Sequence, residues 1–242
     1  MKKILFFSVI ALSALMVSCC QSAPAADDEK EKQESTTPPS AELNAIRLAQ
    51  DLALYGYETE SASALIEAAN ILISTPTQAL EAEVVKGESA TEETDKEGGF
   101  SLEPKDLIAA AKEFAGDDEV LLSSIAKLEG KLAALGIEAT RGAFVRGKTT
   151  GPGYSVTRVY AKATDTYSIR FRGGELAEIA VSGDGDTDLD LYVYDENGNL
   201  IKKDIDYTDQ CYVSFVPAWT GSFTVKVVNR GSVYNNYTLV TN

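Results

Sequence analysis

Histidine is absent from all 242 residues. That excludes Ser-His-Asp and Cys-His nucleophilic catalysis, His-ligated zinc and imidazole acid–base chemistry together. Cysteine is scarce, three in the chain, too few for a disulfide-built scaffold. Two of them, Cys19 and Cys20, stand side by side, which points to processing. Positive charge is also short: 22 Lys and Arg against 37 Asp and Glu leave −15 at neutral pH. Such a surface repels phosphate backbones, which argues against nucleic acid as a partner, and disfavours direct adsorption to anionic lipid heads. Cations and basic proteins fit it better. The N-terminal apolar run from Ile4 to Val17 falls short of the roughly 20 residues a membrane-spanning helix needs. What the chain does have is a hydrophobic content of 44%, enough for a proper core in one large or two modest domains.

Residues 1–18 carry Lys2 and Lys3 ahead of that apolar run, the order of a secretory signal. Met16-Val17-Ser18-Cys19 then resembles a bacterial lipobox, which implies lipidation at Cys19 and a membrane anchor through the acyl chains. Residues 19–40 are Ala, Pro, Ser, Thr and charge with no large apolar side chain, so they read as a disordered acidic tether. The acidic cluster Asp27-Asp28-Glu29-Lys30-Glu31-Lys32 resembles the export signal of surface lipoproteins of the Bacteroides group. The implied address is the cell envelope: an outer-membrane lipoprotein exposed at the surface.

Residues 41–136 read as a small helical bundle. Leu43, Ile46, Ala49, Leu52 and Ala53 recur at helical spacing after Ser40, a candidate N-cap. Leu65, Ala68, Ala69 and Leu72 mark a second helix that Thr75-Pro76 ends. Residues 77–85 read as a short turn and residues 86–99 as a mobile, acidic loop. Pro104 suits the first turn of a third helix with Leu107, Ile108, Ala111 and Phe114 inward. Gly116 closes it and Asp117 caps a fourth, which carries Val120, Leu121, Ile125, Leu128, Leu132 and Leu135. Residues 137–153 are Gly-rich and basic and read as a linker rather than a phosphate loop.

From residue 154 the period changes to two. Leu189, Leu191 and Val193 alternate with Asp188, Asp190, Tyr192 and Tyr194, placing an aliphatic set on one face of a strand and an Asp/Tyr set on the other. Asp195-Glu196-Asn197-Gly198 supplies turn chemistry. Cys211, Val213 and Phe215 share one face of another strand; Phe223, Val225 and Val227 share a face of the next. About eight short strands with regular turns make residues 154–242 an antiparallel sandwich. The fold class expected is therefore multidomain, α plus all-β.

These residues resemble the bacterial pre-peptidase C-terminal (PPC) domain. The resemblance rests on the run from Gly185 to Tyr194, the turn that follows, Asp209-Gln210-Cys211-Tyr212, the run from Pro217 to Val225, and Asn236-Tyr237-Thr238-Leu239. It implies a jelly-roll-like sandwich, secreted and usually appended to another extracellular module. Related collagenase modules bind fibrous protein, and some bind calcium. No protease precedes the domain here, and the calcium ligands of those relatives find no match in residues 139–153.

Two candidate sites follow. Asp184, Asp186, Asp188 and Asp190, joined by Asp206 and Asp209, are the candidate metal ligands, with calcium as the cation; alternate strand positions lie about 6.5–7 Å apart, so loop carboxylates have to complete any shell. The competing reading is that these carboxylates accept backbone hydrogen bonds and order the sandwich edge. Tyr192, Tyr194, Tyr212 and Trp219 are the candidate ligand-binding residues, an aromatic platform for peptide or glycan; equally, tyrosines cover the outer faces of sheets. The function expected is a non-enzymatic envelope lipoprotein whose sandwich binds an extracellular protein or glycan or stabilises the helical part. The alternatives are a structural or assembly subunit of an envelope complex and, further off, a hydrolase using carboxylates such as Glu81, Glu83 or Asp106.

Overall fold

The computed structural model describes residues 37–75, 77–80, 82–88, 101–135 and 153–242. The signal segment, Cys19, the tether through residue 36, most of the 86–99 loop and nearly all of the 137–153 linker lie outside the described residues.

Four helices form where the apolar spacing expects them: α1 (Ala41–Glu58), α2 (Ala62–Ser74), α3 (Pro104–Ala115) and α4 (Glu119–Ala134). The Ser61 hydroxyl accepts the Ala64 N–H at the start of α2. Pro104 opens α3, where its missing N–H leaves no orphan donor. Asp118, not Asp117, caps α4, accepting from the Val120 and Leu121 N–H groups at 2.9 and 3.1 Å. The apolar stripe of α4 is only partly inward. Ile125 and Leu128 are buried, but Val120 is 75% exposed and Leu135 40%. Among the described residues this helix packs mainly on α2 and α3, which covers one side of it.

The sandwich holds the eight expected strands: β3 (Gly153–Val159), β4 (Thr164–Phe171), β5 (Ala177–Ser182), β6 (Leu189–Tyr194), β7 (Leu200–Asp204), β8 (Gln210–Phe215), β9 (Gly221–Asn229) and β10 (Asn235–Thr241). Residues 77–85 correct the expected turn, because they contain two further strands, β1 (Gln78–Ala79) and β2 (Ala82–Val85). Sheet 1 runs β1-β3-β10-β5-β8 and sheet 2 runs β2-β4-β9-β6-β7. The β1–β3 pair is parallel; β2 pairs antiparallel with β4. Leu80 and Ala82 pack against the sandwich core, so this short stretch passes from one sheet to the other and closes an edge. Its pairing partners lie more than seventy residues downstream, which is why no local pattern announces it.

Between the sheets the inward sets interdigitate. Leu189, Leu191, Val193, Val225 and Val227 of sheet 2 meet Ile179, Val181, Val213, Tyr237 and Leu239 of sheet 1, all at most 1% exposed. Each such aliphatic side chain contributes about 1.5–3 kcal/mol over its exposed state. Sheet 1 is also covered on its outer face. Tyr154, Ala180 and Val240 belong to the same core as the α1–α4 stripes, and every residue of β5 is buried. The Ser40 N–H, just ahead of α1, donates to Glu178 Oε1 at 2.9 Å, and the Tyr212 hydroxyl donates to the same oxygen at 2.8 Å. The helices are thus a third layer laid on sheet 1. Among the described residues no helix covers the outer face of sheet 2.

One charge sits deep in this architecture. Asp165 of β4 is fully buried. It is ion-paired to Lys86, which follows β2, and it accepts the Gly87 N–H at 3.1 Å and the Tyr237 hydroxyl at 2.7 Å. Tyr167 and Tyr237 share a further 2.5 Å hydrogen bond. Gly87 is required there, since a Cβ would fall 2.6 Å from both the backbone N and O of Thr164.

Candidate functional site

Strand β6 carries most of the candidates, and its two faces and two ends separate them. At its start, three loops are tied by backbone hydrogen bonds: Gly183 N–H to Asp209 O, Leu189 N–H to Thr208 O and Arg230 N–H to Asp188 O, at 2.9–3.1 Å. The carboxylates hold these loops in place. Asp184 Oδ2 accepts the backbone N–H and side-chain amide of Asn236 at 2.9 and 3.0 Å. Asp209 Oδ2 accepts the Gly185 N–H at 2.6 Å and the Asn235 amide at 3.4 Å. This contact explains Gly183, where an added Cβ would fall 2.3 Å from that oxygen. Asp206 Oδ1 accepts both the N–H and hydroxyl of Thr208, at 2.8 and 2.6 Å. Asp186 is exposed and its N–H donates to Asp184 Oδ1.

Asp190 belongs elsewhere. It is buried, and its Oδ2 receives Arg230 Nε at 2.5 Å and the Tyr192 hydroxyl at 3.2 Å. The structure therefore places Asp184, Asp186 and Asp209 around one loop, Asp206 on the next and Asp190 on the outer side of sheet 2. Among the described residues no group of three or more Asp, Glu or Cys is arranged to hold a metal ion.

The aromatic candidates divide as sharply. Tyr192 and Tyr194 come together on the outer face of sheet 2, with ring centroids 6.3 Å apart and planes 18° from parallel. Lys226 lies over the Tyr194 ring at 5.1 Å, and Arg230 Nη2 donates to the Tyr192 hydroxyl at 2.9 Å. Burial, then the Asp190 charge, raise the Tyr192 phenol pKa. Burial is the largest single influence on Arg230 and opposes its charge, but the hydrogen bonds and charge interactions with Asp190 and Tyr192 together raise its pKa. Tyr212 is not part of this pair: it lies on the opposite sheet, bonded to Glu178 and packed against the helical core. Trp219 sits at the far end of the sandwich, 40% exposed, its ring stacked on Phe223 and its indole N–H donating to Glu196 at 3.2 Å. It is an edge anchor more than a platform.

Cross-strand register shows what else shares the open face. Tyr192 lies opposite Lys226 and Lys203; Tyr194 lies opposite Thr224, which in turn pairs with Ser168. One row further on, Ser222 pairs with Arg170, and Glu83 pairs with Ser168. Ala82, Glu83, Ser168, Arg170 and Ser222 line an open depression of about 320 Å³. Sequence reasoning missed Arg170, Lys203 and Lys226 as site residues. Arg170 and Lys226 carried a signal, since each alternates with inward apolar positions, whereas Lys203 stands between Lys202 and Asp204; the register that gathers the three is long-range and was not legible.

Cys211 is buried and free, and its Sγ donates to Leu189 O at 3.2 Å. Burial, reinforced by the surrounding Asp charges, pushes its pKa well above the usual thiol value, so it is a packing residue. The stretch from Gly142 to Thr149 does spell the GxxxxGK[ST] phosphate-loop pattern, a correction to its reading as a plain linker, and it lies outside the described residues. Its flanks run the wrong way for that motif: α4 precedes it and β3 follows, whereas a phosphate loop connects a strand to a following helix.

No family model matches this chain, and no curated protein matches it. Among solved structures it is similar to the periplasmic inhibitor of g-type lysozyme, PliG, of Aeromonas hydrophila, with 12% identity, 40% of this chain and 91% of that one covered, and a TM-score of 0.32. It is also similar to the pre-peptidase C-terminal domain of collagenase from Bacillus anthracis, at 13% identity over 36% of this chain and 88% of that one, TM-score 0.29. A third similarity is to a carbohydrate-binding module of Cellvibrio mixtus lichenase 5A in complex with cellotriose, at 12% identity over 40% and 89%, TM-score 0.24.

Proposed function

We propose that this chain is a non-enzymatic binding module of the cell envelope, tethered through Cys19, that offers the outer face of sheet 2 to an extracellular glycan or protein. The observation that carries this reading is the asymmetry of the sandwich. Sheet 1 has its outer face buried under α1–α4, whereas sheet 2 leaves exposed a depression and a neighbouring tyrosine pair. Concave, partly aromatic surfaces with convergent polar groups are the usual places for a ligand. The rival hydrolase reading has less support: Asp106 is engaged by the Ser101 hydroxyl at the start of α3, Glu83 stands on β2 in sheet 2, and Glu81 lies outside the described residues. The first two occupy different layers, so they do not form a pair.

The test is binding of the full chain, in detergent, to immobilised extracellular glycans and matrix proteins. Tyr194→Ala and Arg170→Ala are expected to weaken capture while Glu129→Gln on α4 leaves it unchanged. Equal capture by all variants would refute the assignment of this face. Palmitate labelling that survives Cys19→Ala would refute the anchor.

A further inference from the structure

The open face differs in charge from the rest of the molecule. The chain as a whole carries −15, yet Arg170, Lys203, Lys226 and Arg230 all stand on or beside this one face. Asp190 is spent on Arg230 and Tyr192. At the end of the sheet Arg172 is paired with Glu175, and Glu196 accepts from Trp219; among the described residues this leaves Arg170, Lys203 and Lys226 against Glu83 on the strands of this face. Between the cations stand small hydroxyls, Thr166 and Ser168 of β4 and Ser222 and Thr224 of β9: Ser168 lies opposite Thr224, Thr166 opposite Lys226 and Ser222 opposite Arg170. Adjacent strands lie about 4.8 Å apart, so the depression at Ser168 and Arg170 is about 10 Å from Tyr194, two strands over.

We infer that the occupant is an acidic polysaccharide, one whose sugars carry carboxylates. This deepens the proposed function and rests on it. Cations spaced along an extended surface match anionic groups repeated along a chain, and Arg170 in the depression offers a planar donor fork suited to a carboxylate. Serine and threonine hydroxyls both donate and accept, as sugar hydroxyls do. Tyr194, half-buried beside Lys226, supplies the apolar edge against which a ring can rest. An acidic peptide would also satisfy the cations, but its backbone offers one donor and one acceptor per residue, whereas each sugar presents several hydroxyls that both donate and accept.

The experiment titrates the full chain in detergent with oligogalacturonate, with uncharged galactan oligomers of the same length, and with polyglutamate. Oligogalacturonate is expected to bind at least about tenfold tighter than either control, an energy of about 1.4 kcal/mol, and to weaken as salt rises from 50 to 500 mM, as screened charge contacts do. Arg170→Gln and Lys226→Gln are each expected to weaken it roughly tenfold, the scale of one lost hydrogen bond to a charged group, with Lys112→Gln on α3 as the unaffected control. Galactan bound as tightly, insensitive to salt and still weakened by Tyr194→Ala, would overturn the acidic-ligand inference while leaving the face as a binding site. Polyglutamate bound as tightly would overturn the polysaccharide. No binding of any probe, with the depression variants also silent on the wider panel of glycans and proteins, would overturn this inference and the function it rests on.

Discussion

Lys86→Met is the substitution that tests how the layers are held together. It keeps the stem of the side chain and removes the ammonium, leaving Asp165 charged, fully buried and short of its ion pair. Removing one partner of a buried pair costs about 3–5 kcal/mol when nothing else compensates. Two features reduce that here. The Lys86 side chain is 39% exposed, so water already screens the pair, and Asp165 keeps the Gly87 N–H and the Tyr237 hydroxyl. The expected loss is about 2–3 kcal/mol. With a urea dependence of about 2 kcal/mol per molar for a domain of this kind, the unfolding midpoint at pH 7 should fall by about 1–1.5 M. Combining Lys86→Met with Asp165→Leu should recover part of the loss, because the orphaned charge is then gone. A midpoint shift under about 0.2 M, or a double variant no better than the sum of its parts, would falsify the claim that this pair fastens the 78–87 segment to the sandwich.

Three further outcomes follow from the same geometry. A chain restricted to residues 153–242 should fail to give a cooperative melt, because it lacks β1, β2 and Lys86 and exposes Tyr154, Ala180 and Val240; a sharp transition matching that of the whole chain would contradict this. Alkaline unfolding should be steep. Burial raises the Tyr57 phenol to about 12 and lifts Tyr154, Tyr167 and Tyr237 further, whereas an unfolded tyrosine ionises near 10. The folded state then keeps protons the unfolded chain has lost, so stability is intact below about pH 10 and drains away as pH climbs through 12; the share of phenolate absorbance that belongs to these four tyrosines should appear together with loss of the fold, not before it. Millimolar calcium should leave the melting temperature unchanged, since Asp184, Asp206 and Asp209 are already occupied by backbone and side-chain donors, and a rise of several degrees would reinstate a cation site.

The sandwich was legible because its strands announce themselves locally. Leu189, Leu191 and Val193 are all fully buried, as their alternation requires, and Asp195 caps its turn by accepting the Asn197 and Asn199 N–H groups. The third layer was not. Ala180 in β5 and Val240 in β10 are apolar on the face away from the sandwich core, but a single small or aliphatic residue among polar neighbours does not declare a covering helix. β1 and β2 escaped because two to four residues are too few to show a period. The candidate tyrosines illustrate the same limit. Alternation correctly set Tyr192 and Tyr194 on one face, whereas Tyr212 went to the other sheet, and only long-range pairing decides which sheet a strand joins.

The passage of residues 78–85 from one sheet to the other makes the chain non-modular in the strict sense. A protease that severed the backbone between α4 and β3 would release nothing: the upstream piece would keep two strands paired in the downstream sheets and a lysine plugged into its aspartate. Such a nicked protein should stay whole until denatured, and its halves should recognise each other on mixing. Recombination faces the same obstacle, for neither contiguous half could be transplanted into another gene without leaving part of its own framework behind.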